Sequence, residues 1–160
     1  MSAFVIDTNV LVVANGGHEV SDDCLRRCLN ALSNSREGIV VVDNQFQILK
    51  EYRKHAHDTG QPGVGDAFLK WLLRNQANPD HCEQVPLTAS GLGNYLEFPS
   101  DPALDGFDKS DRKFVAVALT SEHGPEIQNA VDTDWWKFRD EFVIMVSRYT
   151  FYARGRCSLE

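Results

Sequence analysis

The chain has 160 residues, 42% of them hydrophobic and 24% charged, enough for one well-buried core and too few for two domains of ordinary size. A formal charge of −7 at pH 7 weighs against a protein that coats nucleic acid through a broad basic surface, because that mode needs clustered Lys and Arg. No apolar run approaches membrane-spanning length and the first residues lack a basic leader, so the expected setting is cytoplasmic, with no membrane partner.

The stretch FVIDTNVL begins on apolar residues without alternation, and residues 3–6 therefore predict a strand covered on both faces. Asp7 stands at its C-terminal tip, the sheet edge where α/β proteins bind ligands. The competing reading is that Asp7 or Asn9 caps the next helix or holds a turn. Ser21 ahead of Leu25, Cys28, Leu29 and Leu32 predicts an amphipathic helix with its capping residue. Residues 39–42 form a second β-branched run that ends on Asp43 and Asn44, and Phe46, Ile48, Leu49 and Tyr52 continue as a helix. Gly60, Pro62 and Gly63 mark a loop, after which residues 67–73 predict another helix around Trp71.

A short strand is expected over 85–87 and an irregular, substrate-side loop over 90–106, where Gly91, Gly93, Pro99 and Pro102 fall. Residues 108–121 resume a helical pattern, 127–131 predict a strand that again ends on carboxylates, and 142–146 predict a last strand. This order favours a parallel α/β sandwich with helices on both faces of the sheet. The four cysteines, at 24, 28, 82 and 157, show no CxxC spacing; Cys24 and Cys28 read as core residues, and neither disulfide nor zinc roles are expected.

Parallel strands would put Asp7 on the same edge as Asp132 and Asp134 of NAVDTDWW. Glu51 lies in the helix after the second strand, and Asp108 and Asp111, three apart, open the helix of FDKSDRKFVAVAL. If these helices lead away from one sheet edge, four to six carboxylates share a pocket. Such a cluster repels itself, and hard divalent cations among the oxygens relieve the repulsion. Mg²⁺ or Mn²⁺ among them would activate a water against a phosphodiester and stabilise charge on the leaving oxygen. Singly, each acid has a plainer reading: Asp108 and Asp111 suit a helix start, and Glu51 suits a solvated face paired with His55. Lys50, Arg53, Lys54, Lys109, Arg112 and Lys113 flank two of the acids and are the expected contacts to phosphates on either side of a scissile bond.

As a set, VIDTNVL, ILKEYRKH, DRKFVAVAL and NAVDTDWW resemble the motifs of the PIN domain, a family of small metal-dependent nucleases that includes the VapC toxins. The resemblance implies a three-layer α/β/α sandwich with a central, mainly parallel sheet, forming one domain over residues 1–150 with a tail at 151–160. It implies catalytic, metal-holding roles for Asp7, Glu51, Asp111 and Asp132, with Asp108 and Asp134 as further candidate ligands and Asn9 in support. The expected activity is a Mg²⁺- or Mn²⁺-dependent endoribonuclease cutting single-stranded or structured RNA, a toxin or defence effector. Its expected partners are RNA, a cognate antitoxin or regulatory protein, and a second copy in a homodimer. Two departures stand out: Ala130 and Val131 occupy the place of a Thr and a basic residue, and residues 60–106 are longer and more irregular than in compact toxins.

Other functions remain open at this point. A catalytically silent PIN-like module that binds RNA or protein is one, and a housekeeping RNA-processing nuclease is another. A dehalogenase-type phosphatase needs a second Asp where Asn9 stands, and a phosphoacceptor receiver domain needs an acidic pair and a later Lys around Asp43 that this chain lacks.

Overall fold

The computed structural model describes residues 1–130 and 133–145. Within them, strands β1 (Ala3–Ile6), β2 (Ile39–Asp43), β3 (Cys82–Val85) and β4 (Glu126–Gln128) form one all-parallel sheet in the order β3-β2-β1-β4. The register pairs Phe4 with Val40 on one side and with Glu126 on the other. The helices are α1 (Thr8–Ala14), α2 (Asp22–Arg36), α3 (Gln47–His55), α4 (Val64–Asn75), α5 (Arg112–Thr120), α6 (Thr133–Lys137) and α7 (Arg139–Met145). They flank the sheet to give the three-layer α/β/α sandwich that the sequence predicts.

The central strands explain why. Val5, Ile6, Val40, Val41 and Val42 are wholly shielded from solvent, as expected of apolar runs covered on both faces. The edge strands β3 and β4 are only partly buried. In α2, the Ser21 hydroxyl accepts the Cys24 N–H at 3.1 Å, and Cys24, Cys28 and Leu32 face inward at helical spacing. No helix among the described residues is long and apolar enough to cross a membrane.

Several elements differ from expectation. A helix follows Asp7 at once, where the pattern predicted none before Ser21. The strand expected over 85–87 lies three residues earlier, β4 stops at Gln128, and the helix expected from 108 begins as a tight 3-10 turn over Lys109–Asp111. The run expected as a strand over 142–146 is α7 as far as Met145, with residue 146 outside the described part. Phe138, just ahead of α7, and Phe142 within it both meet Phe107 edge to face, at 5.7 and 5.0 Å between ring centres, which seats this helix on the loop before α5. Cys24 is disulfide-bonded, against the expectation of free thiols, whereas Cys28 and Cys82 are free and buried.

A polar knot ties α4 to α1. The Asp66 carboxylate accepts from His57 N at 2.7 Å, Gly63 N at 2.8 Å and Asn15 Nδ2 at 3.0 Å, and Asn15 Oδ1 takes the Asp66 N–H in return. The helices cross so closely that a Cβ on Gly65 would sit 2.3 Å from the Leu11 carbonyl oxygen.

Candidate active site

Parallel strands end on one edge, and hydrogen bonds lock their tips side by side. Asp7 N–H donates to Gln128 O and Asn44 N–H to Val85 O, both at 2.9 Å. Asp7 therefore leaves the middle of the sheet edge at the start of α1, with only 2% of its surface exposed. Its carboxylate accepts the Asn9 N–H at 3.2 Å, so it caps α1 as the plainer reading anticipated. It also lines a cleft, which capping alone does not require.

That cleft, of about 210 Å³, brings Asp7, Asn9, Glu51, Asp108 and Asp111 together with Thr8, His55 and Ser110. Glu51 arrives on α3, whose first turn is held by the buried Asp43 through 2.9 Å bonds from Gln47 N and Ile48 N. The Thr8 hydroxyl donates to Glu51 Oε2. Asp111 begins α5 without a side-chain capping bond and is buried, so its carboxylate belongs to the cleft wall rather than to the helix end. Asp108 is exposed and binds Ser110 N and Oγ at 2.9 and 2.8 Å, capping the 3-10 turn. Asp132 lies outside the described residues; Asp134 falls on α6, with its side chain outside them.

Glu51 also lines a second cleft, of about 340 Å³, walled by Lys50, Arg53, Lys54, Lys113 and Tyr95. Lys50, Arg53 and Lys54 are exposed there. Of the other three cations expected to contact RNA, Lys109 is exposed but lines neither cleft, and Arg112 and Lys113 are placed differently. Arg112 is buried: its guanidinium stacks 4.8 Å from the centre of the Phe98 ring and donates to the carbonyls of Leu104, Asp105 and Phe107 and to Asn94 Oδ1. It pins the loop rather than facing a ligand. Lys113 is buried as well, and its ammonium lies 2.7 Å from Glu51 Oε1.

The carboxylates are felt by two tyrosines. Burial pushes the Tyr52 hydroxyl well above its ordinary range, Asp7 and Glu51 add to the effect, and the hydroxyl donates to Ile6 O. Tyr95 is raised by burial and then by Asp43 and Glu51, so the negative field reaches into the basic cleft. The sequence pattern did not single out Thr8 as a partner of Glu51, whereas the strand, cap and helix that it predicts around Asp43 and Asn44 are found, with Asp43 as the anchor of α3. Thr8 sits inside the first motif, the one signal that could have found it.

The donors suit a hard cation in kind, since the acidic cleft offers carboxylate and hydroxyl oxygens from Asp7, Glu51, Asp111 and Ser110. Among the described residues, no three His, Cys, Asp or Glu side chains stand grouped to hold a metal ion, and Glu51 is engaged by Lys113 and Thr8. Asp7 and Asp111 are the acids most deeply set in the cleft wall. Comparisons with protein-family models, with curated proteins and with solved structures return no match.

Proposed function

We propose that the chain is a divalent-cation-dependent endoribonuclease of PIN-like type, with Asp7, Glu51 and Asp111, joined by Asp132, as its acidic centre. The supporting observation is that one carboxylate, Glu51, lines both an acidic cleft and a lysine- and arginine-walled cleft, so a phosphate chain held in the second would reach the first. Bound Mg²⁺ or Mn²⁺ supplies a nucleophilic water near neutral pH and stabilises the leaving oxygen. The chain's own residues do the rest. Asp7 and Asp111 hold the positive charge, Asn9 orients Asp7 through its backbone N–H, and Lys50, Arg53 and Lys54 bind phosphates beside the scissile bond. The test is incubation of the purified protein with unstructured and hairpin RNAs in Mg²⁺, Mn²⁺ or EDTA. Cation-dependent internal cuts that vanish in Asp7→Asn support the reading, and their absence from wild type overturns it.

A second reading is favoured by the Glu51–Lys113 pair, which leaves that carboxylate already neutralised. It makes the chain a PIN-like module that retains RNA or a protein without cutting, visible in the same assay as bound but intact RNA. The biological role that we propose is that of a cytoplasmic toxin or defence effector restrained by a partner protein. Growth arrest on expression of wild type but not of Asp7→Asn supports it, and equal growth alongside active enzyme in the extract favours RNA processing.

A further inference from the structure

Lys113 and Glu51 divide the two clefts. Glu51 lines both, Lys113 lines the basic one alone, and the 2.7 Å contact between them is the partition. Lys113 also donates to Ser110 O, and its ammonium lies 5.1 Å from the centre of the Phe114 ring. A lysine with 9% of its surface exposed needs such a partner, because an unpaired ammonium is costly to bury. A divalent cation on Glu51 would stand within a few ångströms of the Lys113 ammonium, and the repulsion between the two positive charges sets them in competition for this carboxylate.

We propose that Lys113 is a displaceable counter-ion, holding Glu51 while the acidic cleft carries no divalent cation and releasing it when one binds. This rests on the reading above, that the acidic cleft takes such a cation. Lys113 must let go before Glu51 can serve as a ligand, which raises the cation concentration that the cleft requires. Its flexible four-carbon stem lets the released ammonium turn to the other side of the partition. There it joins Lys50, Arg53 and Lys54, where an anionic substrate takes the place of Glu51 as its partner. Cation and substrate binding thereby favour each other through one side chain.

Two measurements test this. In wild-type protein, acylation of lysines read by mass spectrometry should label Lys113 slowly without Mn²⁺ and about fivefold faster at saturating Mn²⁺, while exposed Lys109 stays constant. Unchanged labelling of Lys113 in protein that binds the ion overturns the proposal. In calorimetric titration with Mn²⁺, Lys113→Met, verified as folded by its unfolding transition, should bind about tenfold tighter than wild type, and Lys113→Arg should bind like wild type. Equal or weaker binding by folded Lys113→Met overturns the counter-ion and leaves the cation reading of the cleft standing. No Mn²⁺ binding by any of the three proteins overturns that reading, and the proposal with it.

Discussion

Asp66 and Asp7 are both aspartates with 2% of their surface exposed, both stand at the start of a helix, and they are used in opposite ways. Asp66 spends its oxygens on two backbone amides and the Asn15 side chain. Asp43 likewise spends both oxygens on the first amides of α3. Asp7 accepts the Asn9 amide at 3.2 Å and lines a cleft that it shares with Glu51, Asp108 and Asp111. Burial alone does not separate an acid tied into a helix junction from one that lines a cleft. What separates these two is the company each keeps: Asp66 sits among N–H donors from His57, Gly63 and Asn15, and Asp7 shares its cleft with other carboxylates. For Asp66, burial by itself would raise the carboxyl, but the amides of His57 and Gly63 and the Asn15 side chain together hold it below its ordinary 3.8.

Substitutions at the two aspartates separate the roles most sharply. Asp7→Asn keeps a side chain that caps α1 as well as Asp does, so the fold survives, while the proposed chemistry loses a cation-holding oxygen. RNA cleavage should fall about a thousandfold in a timed assay, with a melting temperature equal to wild type or higher because like charges in the cleft are thinned. Near-normal cleavage would remove the distinction between the two acids. Asp66→Ala should do the reverse, leaving three donors without their acceptor and costing about 3 kcal/mol in urea unfolding. A loss well under 1 kcal/mol would show that the knot is dispensable.

Acid extends the contrast. Glu83 resembles Asp66: burial raises it, but the Ser121 hydroxyl, the His123 ring and the Glu122 amide bring it below its ordinary 4.5. A carboxyl that is lowered in the folded state contributes stability fully above its unfolded pKa and loses it as pH falls through the folded value. Both groups therefore stabilise the protein at neutral pH, and the melting temperature should decline as pH falls below about 4.5, the ordinary range from which both are lowered. Asp66→Asn should flatten that decline, and a slope unchanged from wild type would assign the acid sensitivity elsewhere.

The smallest effect belongs to the basic cleft. Lys54→Glu should weaken binding of a short RNA about fivefold in low salt, with the difference shrinking as salt rises because the contact works through counterion release. Arg112→Ala should instead lower the melting temperature, since it removes the donors that hold Leu104, Asp105 and Phe107. Salt-sensitive RNA binding lost in a stable Arg112→Ala protein would return that residue to the interface.

Much of the fold was legible because burial on both faces demands uninterrupted apolar residues. Val40, Val41 and Val42 announce a central strand with no knowledge of their neighbours, and Ser21 with Cys28 and Leu32 announces α2 in the same way. The C-terminal run failed this test: FVIM has strand composition, but the partners that make it a helix, Phe107 and Trp135, lie elsewhere in the chain. The acids were legible only as a set, since each alone also suits a cap or a solvated face, and Asp7, Glu51, Asp108 and Asp111 do share a cleft.

By itself, then, the sequence determined the central strands, the capped α2 and the position of Asp7 at a strand end, because these depend on periodicity and on near neighbours. Only the tertiary structure decided that adjacent Arg112 and Lys113 are both buried, one on Phe98 and loop carbonyls and the other on Glu51, 62 residues away. It likewise made Asp66 a knot and Asp7 part of a cleft. A charged side chain takes its role from the groups that desolvate and neutralise it, and those come from distant segments that only folding brings together.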